Sequence, residues 1–255
     1  MLRPTPYPDV NALLAVLLAE VQTVLKEQFA GLYLYGSLAV GDFNVHSDVD
    51  FVVATTDTLP DETVSALAAM HDRIAASGMA WTTELEGSYI PLAALRRYDR
   101  AAAVHPHIDR GVGERLAVVQ HDSDWVIQRY SLREYGITVA GPPVQTLIDP
   151  ISPAELRWAV LDIVQEWWTP MLEDPVQLRH DGYHTYAILT MCRILYTLQH
   201  GTIVSKLAAA RWAQGGLHER PAALVKRALD WNISQDDLPE TLALMRQVAA
   251  RCREG

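Results

Sequence analysis

The apolar positions change their period partway along the chain. Val10, Leu13, Leu14, Val16, Leu17, Val21, Val24 and Leu25 recur at helical spacing and predict a helix over 9–28. Short apolar runs at 31–35 and 49–54 predict strands. A helix is expected over 61–77, with Asp61 as its cap and Gly78 as its stop. The segment 80–90, Ala-Trp-Thr-Thr-Glu-Leu-Glu-Gly-Ser-Tyr-Ile, reads as a third strand that Pro91 ends. Residues 115–119 suggest a short strand and 123–135 a helix. Strands alternating with helices indicate an α/β arrangement. Gly141-Pro142-Pro143 and Asp149-Pro150-Ile151-Ser152-Pro153 then punctuate a linker. Beyond it strand signals vanish, and helices are expected over about 153–168, 182–200, 203–214, 220–231 and 236–252.

Composition narrows the function classes. A length of 255 residues suits one large or two small domains with an ample core. A net charge of -10 argues against a broad nucleic-acid-binding surface and suits cationic partners. Cys192 and Cys252 make neither a disulfide framework nor a zinc signature, and Cys192 lies in an apolar helical run that reads as core. No basic segment precedes an apolar stretch at the N-terminus, and no uninterrupted apolar run looks long enough to span a bilayer. The expectation is a reduced, cytoplasmic protein with no membrane partner.

The chemistry concentrates in the first third. Leu32-Tyr33-Leu34-Tyr35-Gly36-Ser37 reads as a strand entering a small turn. Eleven residues after Ser37 come Asp48-Val49-Asp50, leading into the apolar Phe51-Val52-Val53. In Asp-x-Asp on a strand both side chains fall on one face, because side chains alternate with period two. Two such charges repel unless a divalent cation lies between them. A turn with free amides and a hydroxyl beside a metal pair suits a nucleoside triphosphate, which points to nucleotidyl transfer. Glu84 and Glu86 share one face of the third predicted strand, and one of them joins Asp48 and Asp50 if the two strands are neighbours.

The constellation resembles the DNA polymerase β-like nucleotidyltransferases and, more closely, the aminoglycoside adenylyltransferases of the streptomycin/spectinomycin type. Four blocks carry the resemblance: Tyr35 to Asn44 with Ser47-Asp48-Val49-Asp50; Leu85 to Pro91; Arg133-Glu134-Tyr135-Gly136 with Leu147-Ile148-Asp149-Pro150; and Leu189 to Tyr196 with Gly201 to Lys206. It implies an α+β fold, with a nucleotidyltransferase domain over 1–150 (a small mixed sheet with flanking helices) and an all-α bundle over 151–255. It implies that Gly36, Ser37 and Ser47 meet the triphosphate of ATP, and that Asp48 and Asp50 bind Mg2+. Glu86, in the Leu-Glu-x-Ser-Tyr-Ile pattern, becomes the third metal ligand and the catalytic base. Arg193 and Lys206 reach the nucleotide phosphates, and Trp231 stands where the family more often has a tyrosine near the nucleotide.

On the residues alone, Arg193 in its apolar helix either pairs with an acid such as Asp181 or projects into a cleft, since an unpaired buried guanidinium is costly. The resemblance favours the cleft. Trp167 and Trp168, with Glu166, Glu173, Asp174 and Asp181, offer aromatic faces and carboxylates to a cationic sugar, although one tryptophan reads as core. Asp181 is the preferred acceptor ligand. Streptomycin-accepting members carry a tryptophan between the third carboxylate and the linker. The stretch Val104-His105-Pro106-His107-Ile108-Asp109 has none, and Trp125 reads as core. His105 and His107 read as solvated loop residues without a matching third ligand.

The function expected is magnesium-dependent transfer of AMP from ATP to a hydroxyl of an aminoglycoside-type antibiotic by a monomer, with spectinomycin favoured over streptomycin. Two rivals are the same chemistry on a protein or RNA acceptor, and a catalytically silent nucleotide-binding module.

Overall fold

The computed structural model describes residues 3–180 and 182–254. Contacts divide the chain into two compact units, Met1–Pro150 and Ile151–Gly255.

The first unit is built on helix α1 (Pro8–Leu25) and a six-stranded sheet, counted among the described residues. In α1, Val10, Leu13, Leu14, Leu17, Val21 and Leu25 are all buried, one apolar face against the sheet's core. By length and hydropathy the segment Pro8–Gln28 does meet the bar for crossing a membrane, contrary to the reading of the sequence. Its apolar stripe is accounted for by packing into the core around Phe51, Leu67 and Met70.

The strands are β1 (Phe29–Leu34), β2 (Val49–Thr55), β3 (Leu85–Pro91), β4 (Val104–Ile108), β5 (Ala117–Gln120) and β6 (Ile137–Ala140). They run in the order β5-β4-β3-β2-β1-β6. The β2–β3 pair is parallel and the remaining pairs are antiparallel, so the sheet is mixed, as expected. Short helix α2 (Gly36–Val40) follows β1, α3 (Asp61–Ala75) links β2 towards β3, and α4 (Leu92–Arg96) and α5 (Asp124–Tyr135) complete the unit.

Several boundaries differ from expectation. The third strand begins only at Leu85, because Trp81 adopts a left-handed backbone (φ 70°) and Thr82–Glu84 form a 3-10 turn. Strands β4 and β6 are not expected from the sequence: β6 is only four residues long, and in β4 two histidines and a proline stand among the apolar residues. Pro106 is nevertheless accommodated opposite Val118 of β5. Pro60, rather than Asp61, is the N-cap of α3, and α3 ends at Ala75, three residues before Gly78.

The second unit is helical. It contains α6 (Pro153–Ile163), a π-helical turn over Val164–Trp168, α7 (Thr169–Glu173), α8 (Tyr183–His200), α9 (Lys206–Gln214), α10 (Glu219–Leu229) and α11 (Leu238–Glu254). The start of α6 is locked by a capping box. Ser152 Oγ accepts from Glu155 N at 3.2 Å, and Glu155 Oε2 accepts from Ser152 N at 2.8 Å. Helical structure runs on past 168, the expected end of the first helix, through Pro170 to Glu173. Pro170 falls in the first turn of α7, where a missing N–H costs nothing. Trp125 and Cys192 are core residues, as expected.

Candidate active site

Parallel pairing of β2 and β3 sets Asp50 opposite Glu86 and Val49 opposite Leu85. Asp48 precedes Asp50 by two residues and shares its face. One carboxylate oxygen from each of Asp48, Asp50 and Glu86 lies within 4.8 Å of the others. Glu84 lies off the strand in the 3-10 turn, where it accepts from Thr83 Oγ1 at 3.2 Å. Strand register therefore distinguishes the two glutamates that the sequence pattern alone leaves open.

The Gly-Ser turn lies directly on these carboxylates. Tyr35 N donates to Asp50 O at 3.2 Å. Gly36 has φ +60°, and a Cβ there would come within 1.9 Å of Asp50 Oδ2. Only glycine allows both the conformation and the approach. Ser37 Oγ is buried and has no hydrogen-bond partner among the described residues, a costly state that a phosphate oxygen would relieve. Ser47 Oγ accepts from Asn44 N at 3.0 Å and so pins the loop that delivers Asp48. The donor set of Asp48, Asp50 and Glu86 is all oxygen and anionic, which fits a hard divalent cation.

Two features of this site carry no signal in the sequence pattern. Arg110, from the β4–β5 loop, forms an ion pair with Asp48. Burial works against its charge, but Asp48, Glu86 and Glu84 more than offset this and raise its pKa. Tyr35 is the second. Burial, and then the charges of Asp50, Glu86, Asp124 and Asp48, push its phenol well above the ordinary value, so it stays neutral. Its hydroxyl donates to Gln128 Oε1 at 3.2 Å, and Gln128 Nε2 donates to Asp124 Oδ2 at 2.9 Å. Burial, then the charge of Asp122, pushes Asp124 up to about 6.

The histidines of residues 104–108 are not solvated loop residues. His105 is buried within β4 and His107 is half-buried. Ser88 lies opposite His107, and Ser88 Oγ is 2.9 Å from His107 Nδ1. Burial lowers the pKa of His107, against the raising influence of Asp109 and the Gly87 backbone. Glu86, His107 and Asp109 each offer a ligand atom within 4.8 Å of the others. The third partner missing from the linear sequence is a residue of the neighbouring strand.

In the helical unit, Arg193 is half-buried on α8. Lys206 opens α9, whose N-cap Ser205 accepts from Ala208 N at 3.0 Å. Its Nζ stands 4.2 Å from the centre of the Tyr186 ring, a cation–π contact rather than a plain solvated lysine. Tyr186 in turn packs against Trp168 with ring centres 5.8 Å apart. Of the paired tryptophans, Trp168 is buried and Trp167 is exposed. Trp231 lies beyond the end of α10, not within a helix as expected. It is exposed and has φ 51°, a conformation uncommon for a bulky residue. Asp181 lies outside the described residues.

A mixed sheet that displays a carboxylate triplet beside a Gly-Ser turn defines a nucleotidyltransferase, and residues 18–81 match the family described as the nucleotidyltransferase domain. Residues 146–253 match the family described as the aminoglycoside adenylyltransferase, C-terminal domain. The chain is 24% identical over 248 residues to an aminoglycoside (3'')(9) adenylyltransferase of Shigella flexneri, covering 92% of this chain and 90% of that protein. It is 26% identical over 202 residues to a spectinomycin 9-adenylyltransferase of Staphylococcus aureus, covering 76% and 74%. The fold matches a spectinomycin adenyltransferase from Enterococcus faecalis crystallised with ATP and spectinomycin. That match has a TM-score of 0.73 and 18% identity, and covers 95% of this chain and 98% of that one.

Proposed function

We propose that this enzyme moves AMP from ATP to a hydroxyl of an aminoglycoside-type antibiotic, with magnesium, and releases pyrophosphate. The observation that carries the reading is the β2–β3 register, which gathers Asp48, Asp50 and Glu86 beside the unpartnered Ser37 hydroxyl. Relatives named for spectinomycin and aminoglycosides support the acceptor class.

Asp48 and Asp50, with Glu86, would hold Mg2+, which when bound neutralises phosphate charge. Glu86 takes the proton of the acceptor hydroxyl as its oxygen attacks the α-phosphorus. The bond from the α-phosphorus to the bridging oxygen breaks, and pyrophosphate leaves. Gly36 admits the phosphates close to the backbone, and Ser37 and Ser47 donate to them. Arg193 and Lys206 add positive charge to the nucleotide, and Trp231 packs against it. Asp181 receives an ammonium of the acceptor. Spectinomycin is favoured over streptomycin, because no tryptophan lies within residues 104–109. The enzyme acts as a cytoplasmic monomer on small molecules, without a nucleic-acid or membrane partner.

The test is pyrophosphate release from ATP and Mg2+ against spectinomycin, streptomycin and other aminoglycosides. Release with spectinomycin supports the reading. Silence across the panel from a protein that binds ATP removes the antibiotic as acceptor and directs the search to proteins or RNA.

A further inference from the structure

We propose that Glu86, His107 and Asp109 form a second cation site that prefers a transition-metal ion such as Mn2+, Co2+ or Zn2+. The inference goes beyond adenylyl transfer and requires neither ATP nor acceptor.

Strand pairing builds the site. Antiparallel β3 and β4 place Ser88 opposite His107 and Gly87 opposite Ile108. One further step in the same register sets Asp109 opposite Glu86. Period-two alternation then puts Glu86, Ser88, His107 and Asp109 on one face of the sheet. The ligand atoms of Glu86, His107 and Asp109 lie within 4.8 Å of one another. Atoms bound about 2.1 Å from a shared ion are at most ~4.2 Å apart, so small side-chain rotations suffice.

The imidazole is held ready. Ser88, itself buried with 1% exposure, fixes Nδ1 through its hydroxyl at 2.9 Å. A metal-binding histidine is normally oriented in this way through one ring nitrogen while the other binds the ion. Asp109 is oriented too, since its Oδ1 accepts from Arg110 N at 2.9 Å. Its other oxygen remains for an ion.

Chemistry separates this set from Asp48, Asp50 and Glu86. Mg2+ favours oxygen alone, whereas an imidazole beside two carboxylates shifts preference to borderline ions. Arg110 already places positive charge on Asp48. Arg110's charge also reaches Glu86, whereas Asp109, the outermost member of the set, is exposed. Glu86 belongs to both sets and couples them.

The test is pulsed electron paramagnetic resonance of Mn2+ bound to the full chain without nucleotide. The expected result is a nitrogen coupling from one imidazole, which His107→Gln removes and Asp48→Asn retains. Asp109→Asn, at an exposed position where folding is not at risk, should weaken this Mn2+ about tenfold or more. Four results overturn the proposal. The first is wild-type Mn2+ with no nitrogen coupling. The second is coupling that survives His107→Gln, which would assign the nitrogen to His105 or His121. The third is unchanged affinity in Asp109→Asn. Loss of the coupling in Asp48→Asn would show one shared site and overturn it equally. Because the readout is spectroscopic, an inactive enzyme would sink the antibiotic reading and leave this one standing.

Discussion

The two units present their candidate residues in different ways. In the first, Asp50 and Glu86 stand opposite each other on adjacent parallel strands, Asp48 immediately precedes one of those strands, and backbone hydrogen bonding fixes which carboxylates meet. In the second, Arg193, Lys206 and Trp231 belong to α8, α9 and the turn after α10, and each is held by its own local surroundings. Register is a collective constraint, since a one-residue slip would turn every side chain of the strand to the other face. A helix terminus or a left-handed turn constrains one residue at a time. Changes in the first unit should therefore disable chemistry outright, and changes in the second should weaken binding by steps.

Glu86→Gln is the sharpest probe of that contrast. It keeps size and hydrogen-bonding capacity but cannot take a proton, and it should cut the transfer rate by roughly 10²–10⁴ with the fold intact. Rates within a few-fold of wild type, in a variant with an unchanged thermal melt, would remove Glu86 as the base. Gly36→Ala tests whether backbone approach matters as much as charge. The new Cβ would meet Asp50 Oδ2 at 1.9 Å on a backbone with φ +60°. Displacing that carboxylate by about 1 Å should cost roughly a hundredfold in rate. An active, equally stable variant would show that the turn does not lie on Asp50 as described.

Arg193→Ala and Lys206→Ala belong to the other side of the contrast. Loss of one charge-assisted contact of about 1.5–3 kcal/mol corresponds to roughly a tenfold to hundredfold rise in KM for ATP. Turnover at saturating ATP should change far less, and Mn2+ bound to the first unit should be unaffected. If kcat collapses while KM holds, these residues act on the transition state and the contrast fails.

The same contrast explains what was legible in the sequence. The Asp-x-Asp strand and the Gly-Ser turn are visible because period-two alternation and apolar runs are local signals. The choice of Glu86 over Glu84 needed either a family resemblance or the register, because the 3-10 turn at Thr82–Glu84 breaks a segment that reads as one strand. Strand β4 was missed because Val-His-Pro-His-Ile carries buried polar rings where alternating apolar residues normally announce a strand. His107 finds its partner Ser88 on β3, and both histidines lie against His121 just after β5, all separated from them in sequence. Arg110 was missed for the same reason, since nothing near it in the chain suggests its partner Asp48. In the helical unit the helices were legible from their 3.6-residue period, whereas the roles of Arg193, Lys206 and Trp231 came only from resemblance. Pattern shows which face of a helix is buried but not what an exposed cation is for.

The smallest effect concerns stability, and it sharpens the contrast from the side of the core. Burial lowers His71 to about 4, and its Nε2 lies 2.8 Å from the Tyr89 hydroxyl. Burial, helped by His107 and His105, lowers His121 to about 4 as well. Unfolded histidines titrate near 6.5, so between about pH 6.5 and 4 the unfolded chain binds more protons at these sites. Their contribution is therefore intact above pH 6.5 and is lost on acidification, by about 2 kcal/mol for each at pH 5. Asp124 works in the opposite sense. Its carboxyl is raised to about 6, so below that pH the folded state holds the extra proton and gains stability. The first unit should still lose stability overall from pH 7 to pH 5, because two histidines oppose one carboxyl. His71→Gln keeps a polar partner for Tyr89 but does not titrate, and should flatten the loss by about 2 kcal/mol in urea denaturation compared at the two pH values. Asp124→Asn removes the offset and should steepen it. An unchanged pH slope in His71→Gln would mean that the buried imidazole is not the source of the acid sensitivity.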